Sequence, residues 1–118
     1  MQTQETRHQD LSDIIVVVRN ERGVSLASIE GELITVLIAA EGQVIDQQPV
    51  RFRVADAVFL DLPARNYTVI VRHPSLKPTE ARLDVTLPEK AMLGVKYFYN
   101  EAKRQLLRTE LDMRDLRI

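Results

Sequence analysis

The sequence predicts an all-β fold, a two-sheet antiparallel sandwich of about seven or eight strands. Three observations predict it. Ile14 to Val18 form an unbroken β-branched run, and side chains stiff at χ1 suit a pleated sheet better than a helix. Thr79 to Leu87 alternate without a break, with Ala81, Leu83, Val85 and Leu87 against Glu80, Arg82, Asp84 and Thr86, the period of a strand with one wet face. Turn residues, chiefly Pro, Gly and Asn, recur about every 10 positions, the spacing of short strands in a sandwich or small barrel.

Taken in order, residues 1–12 carry no periodic pattern and no apolar anchor before Leu11, so they read as a flexible tail ahead of a single domain over 13–118. The first strand runs from Ile14 and stops at the polar segment Arg19 to Gly23. Leu33 to Ala40 form a second apolar run between Gly31 and the Glu41-Gly42 turn, and their β-branched content favours a strand. Gln43 to Val54 read as a third strand. Its second half puts Val50, Phe52 and Val54 opposite Arg51 and Arg53, and Pro49 marks a start or a bulge. Ala57 to Leu62 and Tyr67 to His73 read as strand, tight turn, strand; Pro74 to Pro78 form a loop before the strand over 79–87. Ala91 to Tyr99 follow, with Gly94 marking a bulge or a close backbone approach. The final segment has good helix formers, but Leu107, Thr109, Leu111 and Met113 alternate with Arg108, Glu110, Asp112 and Arg114. It reads as a strand from about Arg104.

Composition narrows the function classes. Apolar residues make up 45% of the 118 positions and charged residues 28%, a globular balance rather than a disordered or membrane one. With 16 Lys and Arg against 17 Asp and Glu, no global field draws the chain toward nucleic acid or anionic lipid, so neither is an expected partner. The absence of cysteine removes disulfides, thiolate metal sites and cysteine nucleophiles. The apolar runs fall far short of the roughly 20 residues of a membrane-spanning helix. The polar first ten residues lack a secretory apolar stretch, and the expected location is the cytoplasm.

The stretch from Val58 to Leu76 resembles the signature of prealbumin-like sandwich domains, the carboxypeptidase regulatory-like and Cna-B-type modules. Those carry an apolar strand, then Leu-Pro-x-Gly-x-Tyr-x-Val-x-Val and a loop. Leu62, Pro63, Tyr67, Val69 and Val71 match that pattern, while Arg65 stands where glycine is usual. Either Asn66 takes over the positive φ there, or the turn differs. The resemblance implies a prealbumin-like sandwich, with an immunoglobulin-like one as the neighbouring option. Two activities found among such domains do not carry over. The Cna-B-type isopeptide bond needs a lysine on an early strand, and the first lysine here is Lys77. The transthyretin-related hydrolase uses histidines and ends in Tyr-Arg-Gly-Ser, whereas this chain ends Asp115 to Ile118 and has just His8 and His73.

No convergent acid, base and nucleophile can be assembled from the sequence, so an enzyme is not expected, nor is a cofactor or a metal. His73 before Pro74 reads as a strand-end residue rather than a ligand. Two surfaces remain as candidates. Arg51, Arg53, Arg72 and Arg82 all fall on the polar parity of their expected strands and would form a strip if those strands are neighbours; Tyr97 and Tyr99, with Phe98 between them, are the one aromatic cluster. Alternation favours the tyrosines in the core, against a ligand platform. The second candidate comes from strands that are apolar on both faces. Ile15 and Val17, or Ile34, Val36 and Ile38, would lie on a second face that something must cover, either a C-terminal helix or another chain. The expected function is therefore a non-enzymatic protein-interaction or structural module, with a protein partner that includes a second copy of itself as in a homodimer. The alternative is a small-ligand or carbohydrate-binding sandwich using Tyr97, Tyr99 and the arginines.

Overall fold

The computed structural model describes residues 10–115. The expected tail over 1–12 lies outside them as far as residue 9, and so does His8; the remainder of it is engaged. Ser12 already belongs to the first strand, where its hydroxyl donates to Pro88 O and accepts from the Ala91 N–H at 3.0 Å.

Among the described residues ten strands form, rather than the expected seven or eight. The four-stranded first sheet has the order β10–β9–β1–β6, with β1 Ser12–Asn20, β6 Asp56–Leu62, β9 Ala91–Asn100 and β10 Gln105–Asp115. The second sheet, also four-stranded, has the order β5–β4–β7–β8, with β4 Thr35–Ala40, β5 Gln43–Pro49, β7 Arg65–Arg72 and β8 Glu80–Leu87. A small hairpin of β2 Ser28–Ile29 and β3 Glu32–Leu33 makes up the larger count. The expectation of wholly antiparallel sheets is also corrected: β1 runs parallel to β9, with Ile14 beside Leu93 and Val18 beside Tyr97. Two strands so far apart in sequence need no tight turn, so parallel pairing costs them no hairpin.

The core lies between the sheets. Ile14, Val16 and Val18 of β1 and Leu93, Val95, Tyr97 and Tyr99 of β9 face Ile34, Val36 and Ile38, together with Val69 and Val71 of β7. The alternation read over 79–87 holds in β8, where Ala81, Val85 and Leu87 are buried.

The turn in Leu62-Pro63-x-x-x-Tyr67 forms as a closed corner. Tyr67 buries its ring, and its hydroxyl donates to Pro63 O at 2.6 Å, locking the residues that reverse the chain. The positive φ, however, belongs to Asp61 (59°) and not to Asn66, which lies within β7 and accepts from the Thr86 hydroxyl at 2.9 Å. The third strand was expected to reach Val54 but ends at Pro49. Residues 51–55 form a turn in which the Ala55 N–H donates to Arg51 O at 2.8 Å and Ala55 adopts φ 54°. Phe52 is thereby left at the tip, 72% exposed. The alternation there was a chance pattern in a loop.

Candidate interaction surface

The two long edges of the sandwich are built differently. On one side, the β5 and β6 edges are stitched together by the amide of Gln48, which donates to Val58 O at 2.7 Å and accepts from the Val58 N–H at 3.2 Å. The chain then crosses between the sheets, with Val50 N–H on Ile34 O and Val18 N–H on Ala55 O, both at 2.9 Å. That side is closed.

The other side, between β8 and β10, is open. Among the described residues, β10 pairs with β9 alone as a strand neighbour. The loop before β8 reaches its beginning, where Lys77 N–H donates to Arg104 O at 2.8 Å and Leu106 N–H donates to Lys77 O at 2.9 Å. From Leu107 to Arg114, among the described residues, no main-chain hydrogen bond reaches the outer edge of β10. Unpaired strand edges are templates for another strand.

The face of β10 that turns toward the core is uncovered as well. A bulge lies between Leu106 and Arg108; after it, Thr109, Leu111 and Met113 stand opposite Tyr97, Val95 and Leu93 of β9. Those β9 side chains are buried in the core, but Leu111 is 55% and Met113 48% exposed. The inner surface of the first sheet thus extends one strand beyond the cover that the second sheet supplies. On the outer face, Arg108, Glu110, Asp112 and Arg114 alternate with these residues. Arg108 pairs with Glu110 at 2.9 Å, Arg114 with Asp112 at 3.3 Å, and the Arg108 guanidinium lies 3.9 Å over the Phe98 ring.

The residues singled out from sequence are dispersed. Arg51 and Arg53 sit in the turn after β5; Arg51 forms a two-pronged pair with Asp56 at 2.7 and 2.8 Å, which holds that carboxyl below its usual range. Arg72 and Arg82 line a separate cleft of about 650 Å³ with Leu33, His73, Pro74 and Glu80, and Arg82 is paired to Glu80 at 2.9 Å. The four arginines form no strip, because two of them never entered a strand. His73, also in that cleft, is buried and its ring is spent on main chain. Nδ1 accepts from the Ser75 N–H at 3.0 Å, so Nε2 carries the hydrogen and donates to Glu32 O at 3.1 Å.

Tyr97 and Tyr99 are fully buried in the interlayer core and offer no platform. The Tyr97 hydroxyl lies 3.0 Å from Val69 O and 3.1 Å from Ala81 O, tying the first sheet to the second. Of the expected self-association face, Ile15 and Val17 do point outward and are half-buried, but Ile34, Val36 and Ile38 point into the core. The outward side of β4 is instead Leu37 and Ala39, which with Ile70 make a small second cluster, flanked in register by Gln47 and Arg82. Nor does the C-terminal segment fold over either sheet as a helix; it adds β10 at an edge. The sequence carried the alternation of β10. It carried no signal that the apolar parity would stay uncovered, since that depends on the width of the opposing sheet.

Among the described residues, no group of three or more His, Cys, Asp or Glu is placed to hold a metal ion, and no helix is long and apolar enough to cross a membrane.

These features define a β-sandwich with one closed and one open side. No family model matches the chain, and no curated protein matches it. Among solved structures it is similar to the crystal structure of a "putative cell adhesion protein" from Bacteroides uniformis ATCC 8492, with a TM-score of 0.58 and 14% identity. The match covers 92% of this chain and 51% of that one, so this chain spans about half the length of its structural neighbour. At that identity the likeness shows the fold.

Proposed function

We propose that this chain is a non-enzymatic interaction module, a prealbumin-like sandwich that presents the open β10 side to another polypeptide. The observation that carries the reading is the coincidence, on one strand, of an edge unpaired from Leu107 to Arg114 among the described residues with the exposed core-facing side chains Leu111 and Met113. An added strand satisfies both at once, through main-chain bonds along the edge and apolar contacts beneath it. The Leu-Pro-x-x-x-Tyr corner supports the prealbumin-like kinship, and the adhesion role suggested for the structural neighbour agrees with an interaction role. The carbohydrate-binding alternative loses the aromatic surface it relied on, because both tyrosines are interior.

The test is amide resonance mapping with two sets of probes. Extended peptides with alternating apolar residues are expected to perturb and protect amides over 107–114. Saturable shifts from glycans or nucleotides around Arg72 and Arg82, with β10 unaffected by every peptide, would replace this reading with a small-ligand one.

A further inference from the structure

We propose that the turn carrying Phe52, with the turn beside it, docks on an anionic lipid surface, a role separate from the one assigned to β10. Two segments build the docking tip: residues 19–25, the end of β1 and the turn after it, and residues 51–55 after β5.

Main-chain groups bring these segments together. The Val18 N–H donates to Ala55 O at 2.9 Å, and Val54 O accepts from Arg19 Nη1 at 3.0 Å and from the Ser25 hydroxyl at 3.3 Å. Three apolar side chains project from the pair of turns, with Phe52 72%, Val24 56% and Val54 44% exposed. Each turn is fixed by its own hydrogen bonds. The Ala55 N–H closes residues 51–55 on Arg51 O, and Asn20 Oδ1 accepts from the Arg22 and Val24 N–H groups at 2.9 and 3.0 Å. The apolar area is therefore presented by a backbone already ordered, and its transfer out of water is opposed by little loss of conformational freedom.

The charge around the tip is one-sided. The chain as a whole is close to neutral, at -1, yet the two segments hold Arg19, Arg22, Arg51 and Arg53 against a single acid, Glu21. That carboxylate is engaged elsewhere, accepting the Glu101 N–H at 2.9 Å in the turn after β9. Asp56 neutralises Arg51, but among the described residues neither Arg22 nor Arg53 forms an ion pair. Apolar side chains flanked by arginines match the boundary of an anionic bilayer, where the ring and the valines leave water while the guanidiniums stay among the headgroups. A single-stranded nucleic acid would engage the ring and the cations and leave both valines in water. A lipid surface takes all of them at once.

Sedimentation of the full chain with vesicles tests this, using phosphatidylcholine alone and phosphatidylcholine mixed with phosphatidylserine. Binding to the mixed vesicles is expected, falling as salt is raised, and about tenfold or more weaker without phosphatidylserine. F52S should weaken it about tenfold and R22E/R53E by more than that, while L111S on β10 should leave it unchanged. All four positions are exposed, and circular dichroism of each variant checks that the sheet content is kept. Because the chain has no tryptophan, F52W supplies a single reporter whose emission should move to shorter wavelength on the mixed vesicles. Failure to sediment with either vesicle overturns the proposal, as does binding that F52S and R22E/R53E leave intact or that L111S abolishes. An F52W emission that answers to single-stranded RNA and not to vesicles replaces lipid with nucleic acid. The interaction-module reading is decided separately, by the peptide mapping of β10.

Discussion

Tyr97 and Tyr99 stand two residues apart on the same face of β9, yet their hydroxyls end differently. Tyr97 finds main-chain acceptors across the core, while the Tyr99 hydroxyl is buried with no partner among the described residues. Leaving a buried donor unmade costs about 1–3 kcal/mol, whereas a made bond contributes about 1 kcal/mol net. Tyr99→Phe is therefore expected to raise the unfolding free energy by about 1 kcal/mol, and Tyr97→Phe to lower it by a similar amount, as read from urea midpoints. Burial pushes both phenols above their ordinary value of 10.0. The folded chain thus holds protons that the unfolded chain releases first as pH rises. Stability from these groups is fully present below about pH 10 and is lost above it; urea midpoints should be level through neutrality and fall in the alkaline range. A midpoint unchanged to pH 11 would contradict the burial assigned to the pair.

Individual elements show how much the amino-acid order discloses. Strands with one wet face, such as β8, are legible because alternation records burial directly. β4 is apolar on both sides for a reason the sequence does not state: it is a central strand, with Val36 and Ile38, and Ile34 just before it, lining the core and Leu37 and Ala39 joining Ile70 outside. Which parity faces inward depends on the partner sheet, and the reading from sequence assigned it the wrong way round. Residues 50–54 alternate as well as any strand does, but a main-chain bond from Ala55 to Arg51 folds them into a turn. The Gly94 position is also resolved by geometry. It is paired in regular register between Ile15 and Asp112, and a Cβ there would meet its nearest neighbour at 3.5 Å, an ordinary contact. Since glycine within a strand costs about 0.5–1 kcal/mol relative to alanine, Gly94→Ala should raise the melting temperature by a few degrees in a calorimetric scan. A fall in melting temperature would mean that the backbone requires glycine.

Across the whole molecule the two sheets are offset, so that one side closes and the other does not. Gln48 bridges β5 to β6, and removing that bridge by Gln48→Ala is expected to expose the Val58 amide to exchange without unfolding the domain. At the opposite side, among the described residues, no such bridge is seen from Leu107 to Arg114, and the first sheet offers Leu111 and Met113 to whatever arrives. Such an edge is a liability in a solitary domain unless charges or a bulge guard it. Here the bulge at Leu107 and the four alternating charges narrow the possible pairings rather than forbid them. The central claim is that this side is open in the single chain. Amide hydrogen exchange on a dilute sample tests it most directly. Within β10, from Leu107 to Arg114, the amides directed at β9 should be protected and the alternate ones directed away from it should exchange as fast as loop amides. Equal, strong protection of both sets in the monomer would show the edge already covered and would contradict the account.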